Sequence, residues 1–133
     1  MFVIVGGTRC GKTLYASYML CEVARVLGLA SFQTVSVEDD VKLDFSGFDI
    51  RTHAGILLDG VGDANILWRN REILQGRPQE CRGGRSATTV FSYLYTLAPR
   101  AVIVTMDLSA RNLHMFQTDH WLSDSANCKV LRL

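Results

Sequence analysis

The chain has 133 residues, 48% of them hydrophobic and 20% charged, with a formal net charge of +1. That length and balance suit one domain with a single core and exclude a disordered chain. No apolar run approaches the roughly 20 residues that span a bilayer, the short apolar opening lacks the basic start of a secretory leader, and near-neutral charge excludes indiscriminate polyanion binding.

Phe2-Val3-Ile4-Val5 is an apolar run that predicts a first strand. The next eight residues, Gly6-Gly7-Thr8-Arg9-Cys10-Gly11-Lys12-Thr13, meet every fixed position of G-x-x-x-x-G-K-[ST]. Residues 14–27 are helix-compatible and so apolar that the helix is expected to be covered on more than one side, with Gly28 as its stop. Strand, glycine loop and helix together point to a phosphate site. Gly6 and Gly11 permit backbone angles that turn amide N–H groups inward on a phosphate chain, and the helix start adds its positive dipole end. Lys12 would reach the β- and γ-phosphates, and the Thr13 hydroxyl would be a Mg²⁺ ligand.

Residues 31–37 alternate and are β-branched, which predicts a strand; residues 38–48 are acidic and turn-prone, and a short extended piece is expected over 48–51. Gly55-Ile56-Leu57-Leu58-Asp59 has the pattern of a buried parallel strand that delivers a carboxylate at its end, and Asp59 would hold the Mg²⁺ hydration shell. Residues 63–74 predict a helix. Residues 75–86, with Gly76, Pro78, Gly83 and Gly84 among Arg77, Arg82 and Arg85, read as a loop or hairpin. Residues 87–97 read as helical or mixed. Arg100 to Thr105 is another buried strand after Pro99. Ser109 would cap a short helix reaching Met115, and residues 128–133 alternate as a closing edge strand. Strands alternating with helices imply an α/β fold: a three-layer domain over residues 1–133 with a mainly parallel central sheet, its ligand at the carboxyl ends of the strands.

Charge is uneven. Seven acids lie between Glu38 and Asp63, and seven arginines between Arg69 and Arg111. Arg77, Arg82 and Arg85 would meet nucleic-acid phosphates on a hairpin, close over a nucleotide as a lid, or stay solvated. Arg100 and Arg111 are candidates for an arginine finger reaching a neighbour's phosphate in a ring. Thr105 is a candidate γ-phosphate sensor, and Asp107 either approaches the γ-phosphate or helps start the next helix. Trp68 and Trp121 read as core or interface anchors, and His53, His114 and His120 lack metal or triad spacing. Cys10, Cys21, Cys81 and Cys128 lack metal-type pairing and read as free thiols in a reducing, intracellular compartment, cytoplasm or nucleus.

In this order the features resemble the P-loop domain of superfamily 3 helicases, found in replication initiators of small circular single-stranded DNA viruses and related elements. The matching segments are the phosphate loop, Ile56-Leu57-Leu58-Asp59 as the acidic strand, the hairpin from Leu74-Gln75-Gly76 to Gly83-Gly84-Arg85-Ser86, the strand Val102 to Asp107, and the tail from Trp121 through Asn127 to Val130. The resemblance implies ATP and Mg²⁺ as cofactors, ATPase and DNA helicase activity during replication, single-stranded DNA as partner, a homo-oligomeric ring and no membrane. It departs in three respects. Gly60 stands where the family has a second acid, so polarising the attacking water would fall to Asp63. Asp107 stands where an Asn is usual, and the family's nuclease domain is absent. The residues leave two other readings open: a small nucleoside or metabolite kinase with an arginine lid, and a non-hydrolysing nucleotide switch.

Overall fold

The structure is a computed structural model that describes residues 1–37, 43–82 and 94–133. In chain order the elements are β1 (Phe2–Gly6), α1 (Lys12–Leu27), β2 (Ser31–Ser36), β3 (His53–Val61), α2 (Ala64–Arg69), α3 (Arg71–Leu74), β4 (Gln79–Arg82), β5 (Leu94–Leu97), β6 (Ala101–Asp107), α4 (Ala110–Thr118) and β7 (Lys129–Arg132). Five strands form a parallel sheet in the order β2-β3-β6-β1-β7, while β4 and β5 pair antiparallel as a separate ribbon.

The period of two along each central strand decides which layer each side chain joins. Val3 and Val5 of β1, Ile56 and Leu58 of β3, and Val102 and Val104 of β6 enter one core with Leu67 of α2, Leu74 of α3 and Phe116 of α4. Ile4, Leu57 and Ile103 face the other way and pack with Ala16 and Leu20 of α1. The chain is therefore α/β with helices on both faces of a five-stranded parallel sheet, the expected layering.

The two faces are unequally covered. Only Ala16, Leu20 and Ala24 of α1 are buried. Leu14, Tyr18 and Val26 are 78%, 63% and 75% exposed, so the expectation of cover on several sides is overturned. An apolar helix stays open when no second helix lies beside it on its face of the sheet, and none does among the described residues. Residues 48–51 form part of a turn rather than an extended piece, with the Asp49 carboxylate accepting from Arg51 N and His53 Nδ1 accepting from Asp49 N. Leu94–Leu97 is a strand opposite β4, so that end of the segment expected to be helical or mixed is extended; residues 87–93 lie outside the described residues. The 63–74 helix is two short ones meeting at Asn70. Trp68 is exposed rather than core, with the Arg71 guanidinium 4.4 Å from its ring centre. Trp121 is half-buried against the larger core.

Candidate functional site

Residues 6–13 form the turn from β1 into α1. Gly11 caps the helix in the left-handed region at φ 87°, where a Cβ would be strained, and Arg9 is left-handed at φ 62°. No side chain caps α1, and its first turn holds no acid. By contrast the Asp63 carboxylate caps α2 and the Ser109 hydroxyl caps α4. The leading N–H groups and dipole of α1 are thus left for a ligand. Gly7, Thr8, Arg9 and Cys10 are exposed around this opening, and Gly6 is buried beneath it.

Two groups of contacts organise the loop. The Lys12 ammonium donates to Gly6 O at 3.2 Å, Gly7 O at 2.6 Å and Asp107 Oδ1 at 3.0 Å. Its three N–H donors are matched by three oxygens. Cys10 Sγ stands 4.0 Å from the same nitrogen. Nearby, Asp59 Oδ1 accepts from the Thr13 hydroxyl at 2.8 Å and from the Thr105 hydroxyl at 2.6 Å. The Thr105 oxygen in turn accepts from Gly60 N at 3.0 Å.

Sheet order brings these residues together. β6 lies between β1 and β3, so Thr105 and Asp107 sit beside Ile4 and Gly6 on one flank, while Val104 sits beside Leu58 on the other. Asp59 then falls next to Thr105 at the carboxyl edge. Immediately afterwards β3 bulges: its register with β6 shifts between Leu58 and Val61, and Gly60 adopts φ 78°. A second acid at position 60 would sit in that left-handed turn, which explains the glycine there in backbone terms.

Asp63 is committed elsewhere. Its Oδ1 accepts from Asn65 N and Nδ2, both at 2.9 Å, and its Oδ2 pairs with Arg111 at 3.2 Å. Arg111 is therefore held by its own chain. Arg100 is exposed at the opposite, amino edge of the sheet, lining a groove with Glu22, Val23, Val26 and Leu27. Arg77 is exposed at that same edge, beside Met1 and Asn127 in a pocket of about 190 Å³. The length of β1 separates it from the loop of residues 6–13, about 17 Å for five residues. Arg82 ends β4 opposite Leu94, and Arg85 lies outside the described residues.

Two features escape a sequence reading. Asn112 on α4 is 3% exposed; its amide oxygen accepts from Ala64 N at 3.1 Å and its amide nitrogen donates to Gly62 O at 3.0 Å. It pins the connection that follows Gly60. Its only signal was a polar residue four positions before Phe116 on an otherwise inward helix face. The second feature is an open groove of about 600 Å³ lined by Cys10, Gly11, Leu14, Tyr15, Tyr18 and Leu133, which begins at the loop. Its walls are apolar apart from two phenols and a thiol.

For a metal, the paired oxygens of Thr13 and Asp59 are hard donors that suit Mg²⁺, a cation that keeps several waters and takes few protein ligands. Among the described residues no cluster of three or more His, Cys, Asp or Glu side chains is placed to hold a metal ion by itself. None of the described helices is long and apolar enough to cross a membrane. Fold and site together define an α/β domain with a parallel sheet and a strand–glycine loop–helix turn at its carboxyl edge. No family model matches the chain, and no curated protein matches it either.

Proposed function

We propose that the chain is a P-loop nucleoside triphosphatase domain of the superfamily 3 helicase type, which binds Mg-ATP and acts on single-stranded DNA during replication. The observation that carries the nucleotide reading is the convergence of Lys12, Thr13, Asp59, Thr105 and Asp107 from three elements, α1, β3 and β6, on an uncapped helix start. The loop N–H groups and Lys12 would hold the triphosphate. Thr13 and Asp59 would hold Mg²⁺, which when bound neutralises charge on the β- and γ-oxygens. The Thr105 hydroxyl donates to Asp59 and orients that carboxylate, and on this reading it would report the γ-phosphate. The groove beside Leu14, Tyr15 and Tyr18 offers the base an apolar seat continuous with the loop.

The position of Arg77 favours this class over the kinase. A lid arginine must reach the phosphates, and Arg77 sits at the far edge of the sheet. Arg100 at that edge could serve only a neighbouring subunit, which fits a ring. A second reading, the non-hydrolysing switch, is favoured by Asp63: with Gly60 at the bulge, the acid expected to polarise water is taken up by a helix cap and by Arg111.

Phosphate release measured with and without single-stranded DNA, together with a screen of phosphoryl acceptors, separates the three. DNA-stimulated release is the expected result. Acceptor-dependent ADP would move the chain to the kinases, and tight binding without either would make it a switch. Lys12→Ala is expected to abolish Mg-ATP binding; undiminished binding in equilibrium titration would remove the loop assignment.

A further inference from the structure

Asp107 supplies a negative charge at the mouth of a site built for anions. Its place is fixed by the backbone. It is the last residue of β6, in register with Gly6 at the end of β1, and Leu108 N donates to Gly6 O at 3.1 Å. Whatever rotamer the side chain adopts, the carboxylate stays within a side chain's reach of the loop. It is 71% exposed, whereas the Lys12 side chain it pairs with is 11% exposed.

The three acceptors of Lys12 are not equivalent. Gly6 O and Gly7 O belong to the loop backbone, whereas Asp107 Oδ1 belongs to a side chain open to water. A phosphate oxygen that takes an N–H from Lys12 displaces the solvent-exposed acceptor first. Asp107 then turns outward but remains beside the bound polyphosphate as a like charge. The repulsion grows with the charge of the ligand. Free ATP carries about twice the negative charge of its magnesium complex, so the carboxylate opposes the free anion more strongly.

We propose that Asp107 is a specificity-determining residue: it makes the loop select metal-loaded nucleoside triphosphate and reject metal-free polyphosphate. The inference rests on the nucleotide reading above and adds repulsion of the free anion to the preference that Thr13 and Asp59 would confer by holding the metal. An amide at this position would still accept from Lys12 but would lose the repulsion, so it would bind free and metal-loaded ligand more evenly. The exposed charge of Arg9 on the loop attracts the free anion more strongly than its magnesium complex, and Asp107 opposes that preference.

The test is isothermal titration of the whole chain and of Asp107→Asn with ATP in excess Mg²⁺, with ATP in EDTA, and with pyrophosphate in EDTA. The readout is the ratio of the metal-free to the metal-loaded dissociation constant. That ratio is expected to fall by about tenfold in Asp107→Asn, chiefly through tighter binding of the free anions. Asp107→Ala is expected to move it the same way, and Glu72→Gln, an exposed acid on α3, to leave it unchanged. An equal ratio in wild type and Asp107→Asn, with Mg-ATP still bound by both, overturns the selectivity and leaves the nucleotide reading standing. Failure of the wild type to bind Mg-ATP overturns both.

Discussion

Thr105→Val isolates the relay that holds Asp59. Valine keeps the volume and the β-branching that suit β6, so the change removes a hydroxyl and little else. Thr105 is 1% exposed, donates to a carboxylate at 2.6 Å and accepts from Gly60 N at 3.0 Å. A hydrogen bond to a charged group contributes about 1.5–3 kcal/mol, and the abandoned Gly60 N–H adds up to about 1 kcal/mol, because Gly60 is exposed and water can reach it. The expected loss is about 2–3 kcal/mol, read from urea unfolding followed by tryptophan fluorescence. Thr105→Ser, which keeps the oxygen and loses a methyl, should cost about 1 kcal/mol. Asp59 would also lose one of its two positioning hydroxyls, so Mg-ATP binding should weaken in Thr105→Val and hold in Thr105→Ser. A valine variant within about 0.5 kcal/mol of wild type would refute the relay as a structural bond.

Other substitutions reach different parts of the argument. Gly60→Ala forces a side chain into a left-handed turn and should cost about 1–2 kcal/mol in the same assay; a neutral result would mean the bulge relaxes freely. Burial pushes the Cys128 thiol up to about 11 from an ordinary 9.0. The unfolded chain therefore ionises first as pH rises, and wild-type stability should fall relative to Cys128→Ala by about 2 kcal/mol across that interval, with full stability retained below it. Parallel pH profiles for the two proteins would contradict this. Arg82→Ala with Arg85→Ala should weaken single-stranded DNA binding and flatten its salt dependence, and an unaltered slope would take both residues out of the interface.

Much of the site was legible because its chemistry is local. The spacing of Gly6, Gly11, Lys12 and Thr13 names a loop without reference to the rest of the chain, and Asp59 announces itself as the acid ending an apolar run. The three central strands were readable for the same reason. What escaped depends on distant partners. The openness of α1 follows from how many helices share its face of the sheet, which no feature of residues 14–27 encodes. The departure at Gly60 becomes intelligible only with the β3–β6 register and its φ of 78°. The Asp63 carboxylate, the candidate for water activation, also pairs with Arg111, 48 positions later, a contact that no local pattern encodes. The segment before Pro99 looked mixed because Leu94–Leu97 is a strand only by virtue of β4.

The sheet order also sets a timetable for synthesis. β1 is made first, yet its neighbours are β6 and β7, so Phe2 must wait for Ile103 on one side and Lys129 on the other. Such distant pairings close late and slowly. A nascent chain emerging from the ribosome thus carries residues 6–13 unsupported until β6 and β7 have appeared, and on the proposed nucleotide reading fragments that stop short of β6 should not bind ATP.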